Sequence, residues 1–174
     1  MTDLLDSLRL TFNDPVTRHA MLVHWPIVMS LLAIPFIVAL VFIPRRRATA
    51  YRVILAVVVF LGAVIAWQAG EAGEAAEPIV DARLRTDEAR AVLHDHAERG
   101  ERVALLMAAT AGLIATTLVP RKGVRLGAGL AATVLAVGVG ALVIVVAHDG
   151  GRLVHWLDPG SGGSFESSPG LPTG

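Results

Sequence analysis

Four apolar stretches organise this chain, at residues 20–43, 51–67, 103–119 and 126–147. A hydrocarbon core about 30 Å thick takes roughly 17 to 25 helical residues to cross, and each stretch reaches that range. The pattern predicts an all-α integral membrane four-helix bundle, built from a transmembrane domain at 15–160 with an N-terminal arm at 1–14 and a disordered Gly/Ser/Pro-rich tail at 161–174. In the arm, Leu4, Leu5 and Leu8 fall at helical spacing, as in an amphipathic segment on a membrane surface. Asn13-Asp14-Pro15 reads as a helix start, with Asp14 able to cap free amides and Pro15 suited to the first turn. Pro26 and Pro35 interrupt the hydrogen-bond ladder of the first span, so a kink or break is expected near Trp25. The second helix should project beyond the membrane through its Ala/Glu-rich end until Pro78 stops it. Asp87-Glu88 starts the third helix, and the fourth should end at Gly150-Gly151.

Polar residues are sorted just as sharply. The short joints at 44–50 and 120–125 hold Arg45, Arg46, Arg47, Arg121, Lys122 and Arg125, with no carboxylate and no histidine. The positive-inside rule makes them cytoplasmic and puts both termini and the middle loop outside the cell's inner (plasma) membrane, as a multi-pass protein. All 15 Asp and Glu and all 6 His then lie toward the extracytoplasmic face. The first stretch is long enough to span and has no small-residue cleavage site after it, so it is read as a retained helix.

Composition agrees with a lipid-embedded chain: of 174 residues, 54% are hydrophobic and 17% charged, and the mean hydropathy is +0.62. The absence of cysteine rules out a disulfide, an iron-sulfur cluster and Cys-linked haem. No phosphate-binding loop, catalytic triad or basic nucleic-acid-binding face emerges, and no catalytic residue is assigned.

Small residues recur in steps of four and lead to ionisable ones. The rows are Gly62, Ala66, Gly70, Glu74 on the second helix and His96, Gly100, Ala104, Ala108, Gly112 on the third. On the fourth, Ala128, Ala132, Ala136, Gly140 and Ile144 lead to His148. Such rows let membrane helices approach closely. They suggest that His24, Glu74, His96 and His148 meet in one layer at the outer rim, with His24, His96 and His148 as cofactor ligands, Glu74 as a supporting carboxylate and His19 as an alternate metal ligand. Imidazole suits copper, zinc or iron, and haem b would need two histidines on facing helices. His94 lies on a charged face, and His155 is expected as an interfacial ring. The competing expectation is a cofactor-free interaction module, in which the polar rim fixes the bundle and the acidic hairpin at 71–101 docks a partner protein.

These residues carry a resemblance. The segment HAMLVHWPI (19–27) resembles the "HPmlVHFPI" opening of the bacterial membrane proteins classed as domain-of-unknown-function family 2231. WQAGEAGEAAE (67–77) is similar to that family's Gly-Glu-Ala-rich end of helix two, His96 with Gly100-Glu101 resembles its "HEelgE" segment, and HDGGRLVH (148–155) resembles its "HlGGxLVY" close. Ala20 stands where the family has Pro, Ala97 where an acid often follows the histidine, and His155 where it has Tyr. The resemblance implies His19, His24, His96 and His148 as the residues of interest. Members often accompany cytochrome-type redox modules, which implies haem b or a transition metal bound at the extracytoplasmic face in an accessory or electron-transfer role. The partners expected are the lipid bilayer, an extracytoplasmic redox protein and a second copy of the chain, with no nucleic acid.

Overall fold

Asp14 caps the first helix as its position suggests, accepting a hydrogen bond from the Thr17 amide at 3.0 Å, with Pro15 in the first turn. The structure is a computed structural model and describes residues 12–43 and 49–157. Helix α1 (Pro15–Phe42) is followed by α2 (Thr49–Asp81), α3 (Asp87–Thr116) and α4 (Lys122–Leu157). Each helix packs against its neighbours in sequence, and α4 closes the ring against α1. The amphipathic arm at 3–10, the Arg45–Arg47 joint and the tail at 161–174 lie outside the described residues.

The molecule is apolar outside and finely packed inside. Leu32 is 56% exposed, Leu105 70% and Val134 74%, while Ala66, Ala111, Ala132 and Ala136 fill the interior. Lipid gives helices no hydrophobic reason to associate, so small residues that allow close contact line such interiors. Helices α1, α2 and α4 are long and apolar enough to cross a membrane. The apolar part of α3 is confined to its second half, because residues 87–102 are rich in charge.

Buried positions follow alternating steps of three and four. On α3 they run Leu93, Val103, Met107, Thr110, Ile114, with half-buried His96 and Gly100 filling the steps between. On α4 they run Ala132, Ala136, Val139, Val143, Leu153, with half-buried Val146 and Gly150 between. This is the 3.5-residue repeat of helices that wrap around one another. A strict row of step four drifts by about 40° per step on a straight helix. It therefore leaves the seam: α4 turns inward through Val143 and Val146, while Ile144 and His148 rotate to the outside.

Two helix-end expectations are corrected. Pro78 does not stop α2, which continues through Asp81; proline removes only its own donor. The last turn is held by amide bonds to Pro78, Val80 and Asp81 and by packing of Val80 onto the Leu84, Ala89, Leu93 and Leu153 cluster. Gly150-Gly151 does not end α4 either, since burial of Leu153 and the Arg152–Glu88 ion pair at 3.0 Å hold the extra turns onto α3. Helix α1 also runs unbroken through Pro26 and Pro35. At the start of α3, Thr86 accepts from the Ala89 amide at 3.2 Å and Asp87 and Glu88 occupy the first turn, which places acids at the positive end of the helix dipole. At the opposite end of the bundle, buried Arg52 donates to the carbonyl of Ile43, which caps α1.

Candidate functional site

The seam carries two histidines. His19, one turn into α1, and His96 on α3 come from helices across the ring from each other, and their rings meet edge to face with centroids 6.0 Å apart. His19 Nδ1 lies 2.7 Å from the Ala69 carbonyl of α2, and His96 Nδ1 lies 3.1 Å from the Val146 carbonyl of α4. A carbonyl only accepts, so each Nδ1 carries the proton and, in the neutral ring, each Nε2 keeps its lone pair.

The two halves repeat one design. Both bonds span 50 residues of chain. Four residues beyond each carbonyl stands a glycine that makes room for the ring. A Cβ on Gly73 would lie 3.0 Å from His19 Nδ1, and one on Gly150 would lie 3.2 Å from His96 Cε1. The hairpins α1–α2 and α3–α4 thus contribute equivalent histidine, carbonyl and glycine sets to one layer. Apolar clusters border it, Ala66, Val103 and Val143 on the side toward mid-bundle and Leu84, Leu93 and Leu153 on the outward side.

An ion-pair network abuts the layer. Asp149, buried on α4, pairs with Arg99 of α3, which also holds Asp95 at 2.7 Å. Burial pushes the pKa of His96 below its usual value, and repulsion from the neighbouring His19 ring acts in the same direction. The Val146 carbonyl and Asp149 act in the opposite direction. His96 is accordingly neutral at pH 7, the form in which Nε2 can coordinate or accept a proton.

The four-residue layer expected from the step-four rows is separated here. His24 is exposed and turns its Nδ1 to Ala20 of its own helix at 2.7 Å. Glu74 is exposed on α2, where the buried positions are Ala72 and Ala76. His148 faces outward into a groove it shares with Arg152, His155 and Trp156. His94 is exposed. Only His19 and His96 come together, and among the described residues no group of three or more His, Asp or Glu forms that could hold a metal ion. Two participants were missed from the sequence, Arg99 and Asp149. Their signal was phase: Asp149 follows Val146 and precedes Leu153 at the seam's own spacing.

Two imidazoles that share one cation through Nε2, at about 2.0–2.1 Å each, have ring centroids roughly 5–6.5 Å apart; the observed 6.0 Å falls in that range, and sharing an ion would require the edge-to-face rings to turn until both Nε2 lone pairs point at it. Haem b does not fit this packing. A macrocycle needs a flat slot between its axial rings, whereas here the rings touch edge to face and glycine backbone closes on both. No family model, curated protein or solved structure matches the chain.

Proposed function

We propose that this protein is a four-pass plasma-membrane bundle with both termini outside, which holds one transition-metal cation between His19 and His96 at its extracytoplasmic end. The observation that carries the reading is the repeated arrangement of two imidazoles, each fixed through Nδ1 by a carbonyl of a neighbouring helix. A hydrogen bond on the second ring nitrogen is what orients metal-bound histidines and raises their basicity. Imidazole pairs suit copper, zinc and iron. A redox-active ion at this end would serve an accessory electron-transfer role toward an extracytoplasmic partner.

Elemental analysis of purified protein after equilibration with Cu(II), Zn(II) or Fe(II) tests this. About one ion per chain is expected, lost in His19→Ala and in His96→Ala and retained in His24→Ala and His148→Ala. Retention in a His19→Ala/His96→Ala double variant would overturn it, as would metal-free wild-type protein.

A second reading has its own support, because the same two bonds tie α1 to α2 and α3 to α4. On that reading the layer fixes helix register with no cofactor, and the exposed acidic hairpin at 71–101 docks a partner. It predicts that both histidine variants weaken the bundle while wild type binds no metal.

A further inference from the structure

The outward face of α4 carries a second, separate feature. His148, Gly151, Arg152, His155 and Trp156 line a groove of about 550 Å³ at its end. His148, Arg152 and His155 recur at steps of four and three, so they share one face, opposite the face that buries Asp149 and Leu153. The Arg152 guanidinium is held in place, with Nη2 3.0 Å from Glu88 and its carbon 4.8 Å from the centroid of the Trp156 ring. It has five N–H donors, of which one is committed to Glu88 among the described residues. A side chain is missing from the middle of the groove because of Gly151, whose Cβ position meets nothing within 4 Å.

Charge and position specify the occupant. Among the described residues no carboxylate lines the groove: Glu88 is engaged by Arg152, and Asp149 turns inward to Arg99. One guanidinium and two imidazoles therefore border the open space, with the half-buried Trp156 indole, packed on the Leu93 and Leu153 cluster, at its edge. His148 is the first polar residue after the apolar stretch 126–147, so on the membrane reading the groove lies at headgroup depth. Ile144 and Val145, one turn toward the membrane, are exposed and continue that face as an apolar strip. Tryptophan at this level is the residue of membrane interfaces.

We propose that this groove binds the phosphate of an anionic phospholipid, with Arg152 as the principal cation, His148 and His155 flanking it, and the acyl chains lying along Ile144 and Val145. A free phosphate would satisfy the guanidinium and the ring N–H donors but would leave the apolar strip without a role, which favours the lipid.

Native mass spectrometry of detergent-solubilised full-length protein titrated with phosphatidylglycerol or phosphatidylcholine is the test, with melting temperature and metal content read on the same samples. Phosphatidylglycerol should be retained and should raise the melting temperature, and phosphatidylcholine should do neither. Arg152→Gln should weaken retention about fivefold, the usual weight of one cation at an anionic lipid surface. His148→Gln/His155→Gln, which leaves the Arg152–Glu88 pair intact, should weaken it as well, and Arg102→Gln on α3 should not. Metal content should be unchanged in all of these, so this idea and the metal reading fail independently. Equal retention of the two lipids, unaltered retention in the groove variants, or equal stabilisation by inorganic phosphate alone would overturn it.

Discussion

The middle of the bundle and its outward end share one seam and differ in the polar groups they admit. In the middle, the steps of three and four bring together alanines such as Ala66, Ala132 and Ala136 with larger apolar residues such as Ile37, Met107, Ile114 and Val143 and, among the described residues, no charged side chain. At the outward end the same steps carry His19, His96, Leu93 and Leu153, packed with Leu84 of the α2–α3 connection and bordered by ion pairs of Arg99 with Asp149, Arg152 with Glu88 and Arg90 with Asp81. The surrounding solvent explains the difference. Where lipid surrounds the helices, burying a large apolar side chain gains little, and stability comes from close approach through small ones. Where water surrounds them, burying a leucine gains about 1.5–3 kcal/mol, and charges can pair at the surface. On the membrane reading, one packing geometry runs through both solvents, with histidines and ion pairs added at the outward end.

The largest effects should come from exchanging those side chains. Leu93→Ala at the outward end should cost about 3 kcal/mol through lost burial and a cavity. Ala132→Leu in the middle, where Ala132 is 0% exposed, should cost roughly 1–3 kcal/mol by the opposite route, forcing helices apart. Unfolding in mixed micelles measures both, and a stabilised Ala132→Leu protein would break the contrast. Asp149→Asn should cost less, about 2 kcal/mol. Breaking a fully buried pair typically costs 3–5 kcal/mol, but the Arg99 side chain is 32% exposed and retains Asp95. The smallest effect is one of pH. The folded state holds the pKa of His96 below 6.5, so the unfolded chain takes up the proton first. Stability should therefore fall as pH drops through 6.5 and level off once the folded ring is also protonated. Melting temperatures from pH 8 to pH 5 should show this decline, and His96→Asn should flatten it. A wild-type protein that gains stability over that range would contradict the assignment.

Much of the architecture was legible in local signals. Asp14-Pro15 and Thr86-Asp87-Glu88 marked real helix starts, because capping depends only on neighbours within one turn. Helix ends were harder: Pro78 and Gly150-Gly151 look like breaks locally but are overridden by contacts far along the chain, namely Val80 on the outward leucine cluster and Leu153 on α3. The histidines illustrate a different limit. Step-four rows and the 3.5-residue seam coincide over two turns and diverge over five, so His96 falls on the seam as its row suggests while His148, at the end of a long row, is rotated to the outside of α4. His19 ranked low because its partner contacts, the Ala69 carbonyl and the space over Gly73, belong to backbone, which a pattern of side chains does not reveal.

The division of α3 into a charged first half and an apolar second half has a consequence for how the protein is made. On the four-pass reading, its apolar segment, 103–116, is short beside those of α1, α2 and α4. Insertion of a helix from the translocon depends on the summed transfer free energy of its residues, and a short segment preceded by Glu98, Glu101 and Arg102 has little in its favour when it stands alone. Helix α4 supplies what is missing, through the seam from Leu153 to Ala132. On that reading the third crossing would be secured only after the fourth helix has been synthesised, and the chain would enter the bilayer as two hairpins, the same two that bring one histidine each to the layer.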